Sequence, residues 1–208
     1  MPDPSYTRKL PHLHPTGETL FVTFRIANSL PKEVVLRWAE ERDLEVLRLQ
    51  KAHAADPQKL QEAVHNAKKR SFARFDGLLD TSVPHEHRLD QAALAPEIAG
   101  AMHWHQQQGN LDLLCYCIMP NQVHFVATLI NPELPFNKIM KSIKTFSAKQ
   151  INAHVGRTGR FWQREYYDHV VRDGAELQRV VAYVLENPVK AGLCENWEEW
   201  PYSYSKIV

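Results

Sequence analysis

The stretch 119-MPNQVHFVATL-129 decides the fold, because it contains the turn and the second strand of a predicted β-hairpin. The preceding residues, 111–119, are almost all apolar and predict the first strand. Pro120-Asn121 then predicts a tight turn. Side chains alternate over residues 122–130, so Gln122 and His124 project from the same face of the second strand. The hairpin therefore presents a polar pair at the start of that strand.

Strands and helices alternate on both sides of this hairpin. Residues 19–26 and 166–172 are rich in β-forming residues and predict two more strands. Residues 31–80 are highly charged and predict two helices separated at Pro57, as an insertion after the first strand. Further helices are predicted over the following segments: 94–109, 135–155 and 173–187. This order indicates an α+β fold with helices on an antiparallel sheet, and an aromatic tail at 188–208.

Length, charge and cysteine content describe an ordinary folded domain. The chain has 208 residues, so we expect a single domain over 1–208. Its net charge of +1 does not indicate what kind of partner the protein binds. Its three cysteines form no CxxC pair, which argues against a disulfide framework and favours reduced thiols in the cytoplasm. No run approaches about 18 apolar residues, so no membrane partner is expected.

Gln122 and His124 are the first candidates for chemistry. Residues i and i+2 of a strand lie about 7 Å apart on one face, a spacing that suits two ligands of one metal ion. A Gln-x-His pair is a weak signal by itself. The alternative is a single histidine hydrogen-bonded on the surface of a sheet.

Tyr183 and Asn187 form a second candidate pair. Their i,i+4 spacing places them one turn apart on the last predicted helix. Tyr183 lies at the edge of that helix's apolar stripe, where its hydroxyl can reach a cleft. The alternative is a tyrosine that buries its ring and exposes its hydroxyl to solvent.

Residues 138–172 contain eight basic and two acidic residues, interleaved with aromatic ones. Basic side chains neutralise phosphates and aromatic rings stack on unpaired bases. We therefore predict a DNA-binding set consisting of Lys138, Lys141, Lys144, Lys149, Arg160, Trp162, Arg164 and Arg172. The alternative is a solvated helix face followed by aromatic residues of the core.

The order of five motifs resembles a known family. They are MPNQVHFVATL (119–129), IKTFSAKQIN (143–152), GRFWQREYYDHVVRD (159–173), YVLENPVKAGL (183–193) and WPYSY (200–204). The chain resembles the single-tyrosine HUH transposases, and most closely the REP-associated tyrosine transposases and their insertion-sequence relatives. The resemblance covers roughly 19–26 and 94–204. It implies a ferredoxin-like antiparallel sheet of four to five strands, with 31–80 as a helical hairpin insertion.

The resemblance also implies an activity. Family members cut and rejoin single-stranded DNA, often at hairpin-forming repeats, through a 5′-phosphotyrosine link. On this chain Tyr183 matches the nucleophile, while His124 and Asn187 match residues that hold Mg²⁺ or Mn²⁺. Some relatives are homodimers that exchange the tyrosine helix, and others act as monomers.

Gln122 departs from the family pattern, because the family has its first metal-binding histidine at that position. A glutamine oxygen can bind Mg²⁺ or Mn²⁺, although the site would be weaker or differently selective. Two functions follow: a working strand transferase with a Gln/His/Asn metal site, or a catalytically weakened protein that still binds structured single-stranded DNA.

Overall fold

A five-stranded antiparallel sheet forms the centre of the molecule, in a computed structural model that describes residues 14–80 and 88–207. The order across the sheet is β4-β1-β3-β2-β5. The strands are β1 (Thr19–Arg25), β2 (Leu111–Ile118), β3 (Gln122–Leu129), β4 (Tyr167–Val170) and β5 (Ser203–Ser205). The predicted class, α+β with a ferredoxin-like antiparallel sheet, is confirmed with five strands. The fifth strand lies in the tail, where the sequence had predicted only packing.

Six helices and one short 3-10 helix accompany the sheet in the described residues. They are α1 (Lys32–Ala52), α2 (Pro57–Asp80), α3 (Ala95–Gln107), α4 (Phe136–His154), α5 (Gly174–Leu185), α6 (Asn187–Lys190) and the 3-10 turn Trp197–Glu199. The predicted helical hairpin at 31–80 is present as α1 and α2. None of the described helices is both long and apolar enough to cross a membrane.

β3 occupies the middle of the sheet and is paired along its length on both sides. His124 lies opposite Thr23 of β1 and opposite Cys117 of β2. Both sets of backbone hydrogen-bonding groups are therefore used in ladders, and the strand has little freedom to change register without moving its whole apolar set. This pairing fixes where the side chains of residues 122 and 124 point.

The two faces of the sheet carry different layers. Helices α3 and α4 cover one face, where the core includes Phe24, Phe125 and Ile98. Helix α5 covers the other face, where Phe21 and Val126 pack with its own apolar residues. Gln122 and His124 share this second face, as the alternation of the hairpin predicted. Any site built on them therefore lies under α5.

The inserted hairpin also reaches the second face. Helix α1 has no buried residue, whereas α2 buries Ala67, Asp76 and Leu79. Phe72 of α2 stacks on Tyr167 of β4 with ring centroids 3.9 Å apart. Asn121, in the turn before β3, donates from its side-chain amide to the carbonyl of Leu79 at 2.8 Å. The insertion is thus docked on the sheet through α2.

Candidate active site

His124 is a fully buried, oriented imidazole. Its Nδ1 is hydrogen-bonded to the hydroxyl of Thr23 at 2.8 Å, and its ring stacks on Phe21 with centroids 6.2 Å apart. Burial lowers the pKa of His124, although the carboxylate of Asp76 acts in the opposite direction. The ring is therefore neutral near pH 7. Its Nε2 has no hydrogen-bond partner among the residues that the structure describes.

Helix α5 brings Tyr183 to this histidine. The helix begins at a true N-cap, where the Asp173 carboxylate accepts from the Glu176 N–H at 2.7 Å. Ten residues along from the cap, the ring of Tyr183 meets the His124 ring edge to face, with centroids 6.0 Å apart. The ammonium of Lys190 lies 4.7 Å from the centroid of the Tyr183 ring. The predicted tyrosine and histidine therefore meet within a single chain.

Asp76 completes this arrangement from the inserted hairpin. Its Oδ2 accepts a hydrogen bond from the Tyr183 hydroxyl. Its Oδ1 lies 3.7 Å from His124 Nε2, and the residue is only 2% exposed. The sequence analysis assigned no chemical role to residues 31–80 and missed this acid. Asp76 lies one turn after Phe72 and three residues before Leu79, on an apolar face of the helix. This spacing could have predicted that the acid is buried.

Asn187 and Gln122 are both buried near this point. The Asn187 side-chain amide donates to the backbone carbonyl of Tyr183 at 2.7 Å, so it ties the end of α5 to α6. Gln122 is fully buried on β3, two residues before His124, with Arg25 as its register partner on β1. Metal binding by Asn187 and Gln122 remains a prediction.

A separate cluster joins His65, His169 and Glu176. It is the one group of three potential metal ligands found in the described part of the chain, with ligand atoms within 4.8 Å of one another. Lys69 already supplies a cation here, because its Nζ lies 2.7 Å from Glu176 Oε1. His169 Nε2 contacts the same oxygen at 3.1 Å. We interpret the cluster as an ion-pair network that holds α2 against β4 and α5.

Most of the predicted DNA-binding set lines one groove, about 660 Å³ in volume, between α4 and residues 159–166. The members that line it are Lys138, Lys141, Lys144, Lys149, Arg160, Trp162 and Arg164. Arg172 lies apart from them, in a smaller pocket beside Lys69 and His65. The groove belongs to the α4 side of the sheet, so it lies on the face opposite Tyr183.

Two members of this set have structural contacts. Trp162 is only 3% exposed, and its indole N–H donates to Ser147 Oγ at 3.0 Å. The Lys144 ammonium donates to the carbonyls of Gln163 and Arg164 at 2.7 and 2.9 Å. The prediction that Trp162 stacks on a base conflicts with this burial, because its ring packs in the core. Lys144 holds the loop that forms the far wall of the groove.

A protein-family model matches the part of the chain that contains most of these residues. Residues 85–187, which include Gln122, His124, Tyr183 and Asn187, match the family model described as "Transposase IS200 like". The resemblance identified from the sequence motifs is thereby confirmed at the level of the family. Asp76 lies outside the matched range.

Two curated relatives are REP-associated tyrosine transposases. A putative one from Haemophilus influenzae is 28% identical over 101 residues, covering 44% of this chain and 57% of the relative. One from Escherichia coli is 26% identical over 92 residues, covering 44% of this chain and 53% of the relative. The matched segments thus span little more than half the length of these relatives. A solved REP-associated tyrosine transposase bound to a REP hairpin aligns with a TM-score of 0.49 and 15% identity, over 95% of this chain and 81% of that one.

The ion pair that docks α2 predicts an acid-sensitive stability. Burial opposes ionisation of Glu176, but hydrogen bonds from Lys69, the Arg172 N–H and His169 outweigh it and lower its pKa to about 2. A carboxyl with a lowered pKa stabilises the fold fully above its ordinary value of 4.5, and this contribution is lost as pH falls towards 2. Lys69→Met should therefore lower the free energy of unfolding at pH 7 by about 2 kcal/mol.

Urea unfolding of both proteins between pH 7 and pH 2 tests this. The difference between wild type and Lys69→Met should shrink as the pH falls below 4.5. Lys51→Met, on the exposed side of α1, is the matched control and should change stability by less than about 0.5 kcal/mol. An equal loss in the two variants, or a difference that does not vary with pH, would contradict the role assigned to this pair.

Proposed function

We propose that this protein cleaves and rejoins single-stranded DNA through a 5′-phosphotyrosine intermediate on Tyr183, at hairpin-forming sites. One observation carries the proposal: the Tyr183 ring meets the ring of His124, and its hydroxyl is hydrogen-bonded to the buried carboxylate of Asp76. Residues 85–187 also match the family model of IS200-like transposases. The preference for hairpins rests on the resemblance to REP-associated tyrosine transposases.

The residues around Tyr183 fit a bound divalent cation. His124 is neutral and has a buried Nε2 without a hydrogen-bond partner in the described chain, which is the state in which imidazole binds metals. Together with Gln122 and Asn187 it would hold Mg²⁺ or Mn²⁺. Such an ion, when bound, supplies Lewis-acid polarisation of the scissile phosphate. Thr23 would fix the imidazole orientation by accepting from Nδ1–H.

The side chains of this site support a balanced transfer. Asp76 accepts the phenolic proton as the Tyr183 oxygen attacks the phosphorus. The bond from phosphorus to the 3′ oxygen breaks, and that oxygen takes up a proton from water to leave as a 3′-hydroxyl, while Asp76 keeps the phenolic proton for the reverse step. The 5′-phosphate remains on Tyr183, where a second 3′-hydroxyl can displace it and restore the tyrosine. Lys190, beside the ring, favours negative charge on the phenol oxygen and on the phosphate.

The basic groove would bind the DNA outside the cleavage point. It lies across the sheet from Tyr183, so a hairpin held by α4 leaves its flanking single strand to pass around the sheet edge. Exposed lysines such as Lys141 and Lys149 would contact phosphates. A homodimer remains a prediction; the contacts of Tyr183 described above lie within one chain.

A covalent adduct is the direct test of this activity. Incubation with hairpin-bearing single-stranded oligonucleotides and Mn²⁺ should yield a protein–DNA adduct on a denaturing gel. Tyr183→Phe should abolish the adduct because phenylalanine has no attacking oxygen, while DNA binding persists. Tyr204→Phe removes a hydroxyl from β5 and should leave the adduct unchanged. If wild type binds the DNA tightly but forms no adduct with either Mg²⁺ or Mn²⁺, the proposed activity is wrong.

Two exposed lysines of the groove test where the DNA binds. Replacing Lys141 and Lys149 with alanine should weaken hairpin binding at all sequences, and should reduce the slope of log affinity against log salt by about one per lysine that contacts a phosphate. Fluorescence anisotropy at several salt concentrations measures both effects. Lys51→Ala, on the exposed insertion, is the control. Unchanged affinity in the double variant would place the DNA elsewhere.

Gln122 favours a second candidate function, a DNA-binding protein whose cleavage has weakened. Gln122→His distinguishes the two. A functional Gln/His/Asn site predicts an adduct in wild type and a change of no more than about tenfold in its rate of formation in the variant. A weakened protein predicts no wild-type adduct and its appearance in Gln122→His. The adduct assay with Mn²⁺, run on wild type and on Gln122→His, distinguishes the two functions.

A further inference from the structure

We propose that Asp76, from the inserted hairpin, is a ligand of the divalent metal at His124 and holds Tyr183 beside that ion. The proposal rests on the proposed function and deepens it, because it assigns a residue outside the family match to the same site. It also gives the inserted hairpin a part in the proposed site.

Two buried polar atoms, one on β3 and one on α2, lie close together. His124 is fully buried and Asp76 is 2% exposed. In the described part of the chain, His124 Nε2 and Asp76 Oδ1 both lack a hydrogen-bond partner. Leaving a buried carboxylate oxygen unsatisfied is costly unless a charge or donor compensates it. These two atoms, 3.7 Å apart, are therefore a pair that a cation between them would satisfy.

The separation suits a shared ion. Bonds from a metal to imidazole nitrogen or carboxylate oxygen are about 2.0 to 2.2 Å long. Two ligand atoms 3.7 Å apart can therefore both bind one ion without a large movement.

The charge of the proposed ligands also favours Asp76. Gln122, His124 and Asn187 are neutral ligands, and Mg²⁺ and Mn²⁺ bind best where carboxylate oxygens are present. Asp76 supplies the missing negative charge. A carboxylate from α2 thus offsets the presence of glutamine at position 122.

The second oxygen of the same carboxylate couples the ion to the nucleophile. Asp76 Oδ2 accepts the Tyr183 hydroxyl while Oδ1 faces His124. Helix α2 is held in place by Lys69 on Glu176 and by Asn121 on Leu79, so the position of the carboxylate depends on docking of the hairpin. A competing interpretation is that Asp76 only covers the buried histidine and excludes phosphate from it. The experiment below separates the two.

Metal affinity measured on the full chain without DNA tests the assignment. Titration calorimetry with Mn²⁺ alone should show binding to wild type that is at least about tenfold weaker in Asp76→Asn. His124→Ala should lose it entirely. Glu62→Gln neutralises an exposed acid on the same helix and should bind Mn²⁺ as wild type does. Circular dichroism and thermal melting establish that each variant is folded.

A cysteine variant tests direct contact. Asp76→Cys should turn the site towards soft metals, so that Cd²⁺ binds more tightly than Mn²⁺ and produces a thiolate-to-cadmium absorption band. The native thiols Cys115 and Cys117 are buried, and burial raises the pKa of Cys115 to about 12, whereas Cys194 is partly exposed. Wild type therefore measures the background band from native thiols, and Asp76→Cys should exceed it. A purely covering role for Asp76 predicts no such band.

The outcomes are distinct. Wild-type Mn²⁺ affinity in Asp76→Asn, with no cadmium band in Asp76→Cys, would overturn the assignment even if Tyr183 forms its DNA adduct. Unchanged metal affinity together with faster adduct formation in Asp76→Asn would show that the carboxylate blocks the site. Absence of Mn²⁺ binding to folded wild type would also overturn the assignment of Asp76. Whether wild type forms the DNA adduct would then test the cleavage activity separately.

Discussion

The position of His124 on the central strand is the constraint on which the site depends. β3 is hydrogen-bonded to β1 and β2 along its length, and Thr23 and Phe21 of β1 orient the ring. The imidazole therefore stays neutral and fixed, and other elements must come to it. Helix α5 brings a tyrosine, and α2 brings a carboxylate. Because α2 is docked through the Lys69–Glu176 ion pair, the arrangement depends on contacts far from the reacting atoms.

The sheet separates two kinds of surface. The face under α5 is closed and carries the polar groups that support chemistry. The side formed by α4 and residues 159–166 is open and basic. Under the proposed function, this division would let one small domain hold a DNA hairpin on one face while a single strand approaches Tyr183 on the other. It also explains why Trp162, which looked like a stacking residue, serves the core instead: its hydrogen bond to Ser147 braces the wall of the groove.

Sequence patterns predicted the features that depend on local periodicity. Alternation from residue 122 placed Gln122 and His124 on one face, and i,i+4 spacing placed Tyr183 near Asn187. Burial of Trp162 and the pairing of β5 with β2 could not be read this way, since both depend on which segments meet in three dimensions. Asp76 was missed for the same reason. Nothing within 31–80 indicates that one acid on an apolar helix face meets residue 183, 107 positions further along the chain.

We propose above that one divalent ion binds between β3 and α2, next to the tyrosine. Anomalous diffraction from a crystal of the full chain soaked in Mn²⁺ tests it most directly. We expect a single strong peak within about 2.2 Å of both His124 Nε2 and Asp76 Oδ1, with the Tyr183 hydroxyl beside it. A peak at His65, His169 and Glu176 instead, or no peak near His124 at saturating Mn²⁺, would contradict it.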